Sequence, residues 1–302
     1  MFAVTILGNN SALPMHNRHP TAQVVYYEEH LFLVDCGEGT QMQMTRYKVK
    51  RNRIKYIFIS HLHGDHCFGL PGLLTSYGLN GRTEDLWIFS PPLLQEIIEI
   101  QLKAACTVLP YTLHFVAIEK EGILVDEKKI TVSCFAVNHR VTCWGFLFKE
   151  KHKPLKLIPE KLQQYAIPSS FYQRLKMGED YISKEGKHIK NEWVTQPVDA
   201  QQSYAYCADT AYNETIAEKC KAASLLYHEA TYLDDQKEKA ASRTHSTARE
   251  AATIATKAGV DKLLIGHFSS RYETLDEFLT EAQSVFLNTD LAIEGATYII
   301  HK

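Results

Sequence analysis

Six consecutive residues concentrate the chemistry of this chain: His61, Leu62, His63, Gly64, Asp65 and His66 read H-x-H-x-D-H, directly after the apolar run Tyr56 to Ile59. Three imidazoles and one carboxylate are four potential metal donors, because zinc accepts neutral ring nitrogen and hard carboxylate oxygen. Buried without a cation, they would leave charge and unpaired donors in the interior. Further candidates stand where other apolar runs end: His139 after Val132 to Val137, Asp209 after Tyr204 to Ala208, and His267 after Leu263 to Ile265. Together these are more donors than one tetrahedral ion needs, and the surplus predicts two ions.

The elements that must carry these donors follow from the apolar pattern. Runs of strand length recur at Val4 to Leu7, Leu31 to Val34, Tyr56 to Ile59, Val132 to Val137, Tyr204 to Ala208, Leu225 to Tyr227, Leu263 to Ile265 and Thr297 to Ile300. Helical patterns lie between several of them, at Pro92 to Ala105, at Thr247 to Ala258 behind a Ser or Thr cap, and at Leu275 to Phe286. The reading is a layered α/β domain with strands and helices alternating in both halves, as a duplicated fold would have. In parallel-type sheets, binding sites lie outside the carboxyl ends of strands, so donors at strand exits can converge on one edge. The segment 149–198 departs from this pattern. It is rich in Lys, Gln, Pro and Tyr, and is expected to be an inserted arm on a single domain spanning 1–302.

Composition narrows the function classes. The chain has 302 residues, 45% hydrophobic and 23% charged, which are globular proportions. A net charge of −2 excludes a protein that coats nucleic acid with its whole surface, so any RNA contact must be local. No run of 18 apolar residues and no basic, apolar leader occurs, so the expectation is a cytoplasmic protein without membrane contact. Seven cysteines without a C-x-x-C pair argue against a disulfide framework.

The string His61 to His66 is the signature of the metallo-β-lactamase superfamily. Ser60 to Leu74, Asp35 to Gln41, His228-Glu229-Ala230-Thr231, His245-Ser246-Thr247 and Gly266 to Tyr272 together resemble the short form of ribonuclease Z across nearly the whole chain. That resemblance implies a four-layer αββα sandwich with an inserted arm, and two zinc ions per subunit. One would be held by His61, His63 and His139, the other by Asp65, His66 and His267, with Asp209 bridging. It further implies that a metal-activated water attacks a phosphodiester in line to remove the 3′ trailer of precursor tRNA, leaving a 3′-hydroxyl. Asp65 would orient or deprotonate the water, and His245, supported by Glu229, would stabilise the transition state and protonate the leaving oxygen. A homodimer is implied as well. Asp35 is expected to orient a metal-bound imidazole by accepting its other ring proton. Gly64, Gly69, Pro71 and Gly72 are expected to shape the ligand loop and its exit.

Two departures from the family pattern stand out. The arm's usual Gly-Pro element is replaced by Ile167-Pro168-Ser169-Ser170-Phe171-Tyr172, and the amino-terminal loop Leu7 to Pro14 carries Asn9 where Thr is common, which is expected to shift recognition of the 3′ end slightly.

Because the superfamily also contains thioesterases, lactonases and phosphodiesterases, local features must choose the substrate. From Lys149 to Lys190 there are nine Lys and one Arg against five acidic residues, a balance of +5 with Tyr165, Phe171 and Tyr172 interleaved. Such a segment suits the sugar-phosphate backbone of a folded RNA. A second basic run, Arg46, Lys48, Lys50, Arg51, Arg53 and Lys55, reads as a solvated helix end. The competing readings are a metal-dependent phosphodiesterase or esterase of small molecules and a non-catalytic RNA-binding protein.

Overall fold

The computed structural model describes residues 1–151, 155–196 and 201–301, so that 152–154 and 197–198 of the expected arm lie outside the described residues. Fourteen strands build its two large sheets. Those of the first half are β1 (Phe2–Gly8), β2 (Ala22–Tyr27), β3 (His30–Val34), β4 (Ile54–Phe58), β5 (Leu86–Ser90), β6 (Leu113–Ala117) and β7 (Gly122–Asp126). The remainder are β8 (Ile130–Ala136), β9 (Trp144–Glu150), β10 (Ser203–Cys207), β11 (Leu225–Glu229), β12 (Leu263–Gly266), β13 (Thr289–Leu291) and β14 (Thr297–Ile299). One sheet has the order β14-β1-β2-β3-β4-β5-β6, the other β13-β12-β11-β10-β9-β8-β7. In each, four neighbouring strands are parallel, β3 to β6 and β10 to β13. All eight strands and three helices expected from the sequence are present within a few residues of their expected bounds.

Alternation along the strands sorts side chains into layers. In β4, Phe58 joins Val4, Ile6 and Phe32 in a core shared with Phe146, Phe148, Tyr206 and Leu264 of the other sheet. Ring centroids of Phe58 and Phe146 are 5.3 Å apart, and those of Phe32 and Phe148 are 5.4 Å apart. Its neighbour Ile57 faces the opposite way, onto Leu70, Leu73 and Leu74 of the helix Leu70–Leu79 and onto Leu94 and Ile98 of the helix Leu93–Ala104. Ala205, Leu226 and Ile265 of the second sheet likewise pack on Ala251, Ile254 and Ala255 of the helix Ala248–Ala258 and on Phe278. The result is helix, sheet, sheet, helix, the four layers expected. Each buried Phe, Leu or Ile contributes about 1.5–3 kcal/mol relative to exposure.

The helix Ala248–Ala258 starts where the sequence signals it. Thr247 accepts a hydrogen bond from the Glu250 amide while Glu250 reaches back to the Thr247 amide, and Gly259 closes the helix at φ 62°. Pro71 and Gly72, expected to shape the ligand loop and its exit, lie in the first turn of the helix Leu70–Leu79. Proline is tolerated there because its missing N–H has no helical partner in any case. The basic run behaves as a solvated surface, with Arg46, Lys48, Lys50, Arg53 and Lys55 exposed.

Residues 127–129 and 150–201 cluster as a second compact unit. It contains the helices Pro159–Gln164 and Tyr172–Lys176, a ribbon of Lys156–Leu157 with Thr195–Gln196, and another of Tyr181–Ile182 with His188–Ile189. Leu162, Ile167, Leu175, Ile189 and Val194 form its own small core. The amide of Asn191 ties it together, donating to Leu175 O at 2.8 Å and Glu179 O at 2.9 Å. Among the described residues, no helix is long and apolar enough to cross a membrane. All seven cysteines are free.

Candidate metal centre

The parallel strands deliver the donors to one edge. His61 follows β4, His139 follows β8, Asp209 follows β10 and His267 follows β12, while Glu229 is the last residue of β11. Parallel register sets Cys207 beside His228 and Glu229 beside Gly266, so three strands end level.

Two groups result, and Asp209 belongs to both. The donor atoms of His61, His63, His139 and Asp209 lie within 4.8 Å of one another, as do those of Asp65, His66, Asp209 and His267. In the first, His63 Nδ1 is 2.9 Å from His61 Nε2 and 3.2 Å from His139 Nε2, and Asp209 Oδ2 is 3.6 Å from His61 Nε2. In the second, His66 Nε2 and His267 Nε2 are 3.2 Å apart, and Asp209 Oδ1 is 3.3 Å from the former and 3.2 Å from the latter. Asp65 Oδ2 stands 3.4 Å from His267 Nε2.

These spacings fit a metal. Bonds of about 2.0–2.1 Å in a tetrahedron set ligand atoms about 3.3 Å apart. Asp209 Oδ1 is buried and has no hydrogen-bond partner among the described residues. Asp35, Asp209 and Glu229 are buried together; His66 stands against the first and His245 against the last, and a metal ion between the two donor groups suits Asp209. The imidazoles answer to the same field. Burial and the neighbouring His66 hold His61 well below the ordinary imidazole range, and burial with Arg140 lowers His63 to about 4, which keeps both in the neutral form that ligates. Burial also pushes His66 down, but Asp209, Asp65 and Asp35 more than offset it and favour positive charge at that position.

Four of the five rings are fixed from behind. His66 Nδ1 donates to Asp35 Oδ2 at 2.8 Å, as expected for Asp35, and that carboxylate also accepts from the Ser60 amide and hydroxyl and from Tyr206 Oη. His139 Nδ1 donates to Thr244 O at 2.9 Å, and His267 Nδ1 to Thr231 Oγ1 at 2.9 Å. His61 Nδ1 lies 3.0 Å from Ser60 Oγ and 3.4 Å from Cys143 Sγ. These partners set the tautomers that aim Nε2 of His61, His66, His139 and His267 inward, whereas His63 enters its group through Nδ1. Asp35, Thr244 and His267 all adopt left-handed backbone, with φ of 55°, 56° and 61°. Side-chain-bearing residues seldom do so, and such strain gathers at functional sites.

A third group adjoins the second. Glu229 Oε1 is 2.8 Å from His245 Nδ1 and accepts from the amides of Thr210 and Ser246, both at 3.1 Å. Its Oε2 accepts from the Thr231 amide and hydroxyl. His245 lines the mouth of a cleft of about 830 Å³ with His63, Asp65, His139 and Asp209. Asn9 is not in that cleft. It is buried, donating to Ala292 O at 2.6 Å, while Ser11 to Pro14 line the opening, so the departure at residue 9 does not face a substrate. Sequence reasoning missed Thr231, Thr244, Ser60 and Tyr206; the signal for Thr231 was its place three residues after His228, and none marked the others.

All nine residues singled out from the sequence, His61, His63, Asp65, His66, His139, Asp209, Glu229, His245 and His267, therefore meet at one edge. Comparison with known proteins accords with that arrangement. A family model described as anti-Pycsar protein Apyc1 matches residues 2–153, a span that carries His61 to His66 and His139 but ends before Asp209, Glu229, His245 and His267. A curated protein named ribonuclease Z from Bacteroides thetaiotaomicron is 44% identical over 303 residues, covering 100% of this chain and 96% of its own length. The crystal structure of human tRNase Z, short form, superposes with a TM-score of 0.72 at 27% identity, over 99% of this chain and 100% of that one. The metallo-β-lactamase fold protein YhfI from Bacillus subtilis has a TM-score of 0.70 at 20% identity, covering 98% of each, which speaks for the fold alone.

Proposed function

This chain belongs to the ribonuclease Z family, and on that premise we propose that it removes the 3′ trailer of precursor tRNA with two zinc ions and leaves a 3′-hydroxyl on the tRNA. His61, His63 and His139 would hold one ion, Asp65, His66 and His267 the other, with Asp209 shared. The chain is a hydrolase, a metal-dependent endoribonuclease of tRNA 3′ processing. Zinc bound there supplies a water acidified toward neutral pH and positive charge beside the phosphoryl oxygens.

The protein's own groups do the rest. Asp65 Oδ2 is steadied by the Ala12 amide at 2.7 Å, and the other carboxylate oxygen accepts the proton of the attacking water. His245, held by Glu229, donates a proton to the leaving oxygen. The single observation that carries this reading is the meeting of donors as far as 202 residues apart in sequence beside one open cleft.

The arm at 149–198 is proposed to grip tRNA, supported by the +5 balance of Lys149 to Lys190. A homodimer is supported by Leu93, Ile97 and Ile100, which expose one apolar face of the helix Leu93–Ala104 at 60%, 49% and 67%. Seven free thiols support a reducing, cytoplasmic setting. The test of the function is end-mapping of products from a trailer-bearing precursor tRNA, using purified protein of measured metal content. One cut at the end of the acceptor stem with a 3′-hydroxyl is expected; a zinc-loaded sample that hydrolyses a small diester but leaves precursor tRNA intact overturns it.

A further inference from the structure

Phe68 is 72% exposed although it follows the ligand helix Gly64–Cys67 directly and lines the same cleft as His63, Asp65 and His245. Its ring lies against the α-carbon of Gly64. A Cβ there would come within 2.3 Å of Phe68 Cε2, so only glycine admits the ring in this position. One side of the ring is thus clamped by backbone while much of the rest stays in water. An exposed aromatic face within a cleft is free to stack on a planar group of a ligand.

Two cations share the cleft. Arg140 follows His139, and its charge is felt at His63; Arg243 stands two residues before His245. Both are exposed, and among the described residues neither guanidinium has an ion-pair or side-chain hydrogen-bond partner. Guanidinium groups pair with phosphate, and aromatic rings stack on any base regardless of identity. A protein ligand would need apolar pockets around the ring; unpaired guanidiniums in the same cleft favour a nucleotide strand instead.

We propose that Phe68, Arg140 and Arg243 form a strand-gripping rim, in which the base of a nucleotide flanking the scissile phosphate stacks on Phe68 while the adjoining phosphates pair with the two arginines. This rests on the nuclease reading above and names the part of the RNA that the cleft itself holds. The rim is indifferent to base identity, because none of its three members reads a base edge.

The test is a cycle between protein and substrate. Phe68→Ala should raise KM for precursor tRNA by about 5- to 150-fold, the range expected for losing one stacked base. Phe68→Trp should restore it. A precursor lacking the base on one side of the cleavage site should show the same rise with the unaltered protein, and Phe68→Ala should add nothing further on that substrate. Arg140→Ala and Arg243→Ala should each make the salt dependence of log KM shallower by about 0.7, the value for one phosphate contact on a single strand. A KM within twofold for Phe68→Ala, or a full additional loss on both abasic substrates, overturns the proposal while cleavage by the unaltered protein keeps the nuclease reading intact. Failure of the unaltered protein to cut precursor tRNA at all overturns both.

Discussion

His245 Nδ1 lies 2.8 Å from Glu229 Oε1, and the carboxylate it meets is wholly buried beneath four other donors. The carboxylate holds the Nδ1 proton and leaves Nε2 for the proton that the proposed mechanism hands to the leaving oxygen.

That pairing sets a pH dependence. Burial pushes His245 down, but Glu229, through charge and hydrogen bond, with help from Asp209, raises it to about 9. The protonated form is present through the neutral range and is lost as pH rises through about 9. Turnover should therefore fall on an alkaline limb near that value, and Glu229→Gln should move the limb toward about 6.5, the ordinary imidazole range. Profiles of kcat against pH for both proteins decide; a limb that stays in place removes His245 from the proton transfer. His245→Ala should lower kcat by about 100- to 10,000-fold with zinc content unchanged. Loss of zinc in that variant makes the residue structural.

Thr231 connects the acid to the metal group. Its hydroxyl donates to Glu229 Oε2 at 2.7 Å and accepts from His267 Nδ1 at 2.9 Å. Thr231→Val keeps the shape and deletes the bridge, so zinc affinity should weaken by about 10- to 100-fold, as for other partners behind metal ligands. Thr231→Ser should retain it. Competition against a chromophoric chelator measures both, and equal affinities for Val and Ser count against the bridge.

Asp35 is the buried anchor of the opposite wall. Asp35→Ala strands the Ser60 amide and hydroxyl, His66 Nδ1 and the Tyr206 hydroxyl without an acceptor. Breaking a buried charged network of this kind costs about 3–5 kcal/mol. Urea unfolding of metal-free protein isolates that loss from any effect on zinc; a midpoint unchanged from the parent shows that the network contributes no stability.

The arm can be removed cleanly. Lys149 of β9 pairs with Ser203 of β10 in antiparallel register, so an Asn-Gly turn can close the hairpin in place of 150–202. The shortened protein should lose far more kcat/KM on precursor tRNA than on an aryl phosphodiester. Parallel losses on the two substrates refute a role in gripping tRNA.

The clustered donors were legible in the sequence because few residue types can bind metal and because they followed apolar runs, and exits of strands that run the same way converge by topology. What oriented them was not. Thr244 acts through its carbonyl oxygen, which every residue possesses, and Tyr206 is one of many core aromatics until its hydroxyl is seen against Asp35. Among the elements, β2 reads AQVVYY, where Gln23 breaks the apolar run although it is buried, and the helix Leu70–Leu79 carries Pro71, Gly72 and Gly78, which read as loop signals. In both cases tertiary burial overrode local preference.

His66 and His267 touch across 201 positions of sequence. Ribosomal synthesis therefore releases the H-x-H-x-D-H segment long before its counterpart exists, and a growing chain cannot cut RNA until its last quarter has been made and the second sheet has docked on the first. On the proposed function, hydrolytic power arrives only when His267 has joined the donors released before it.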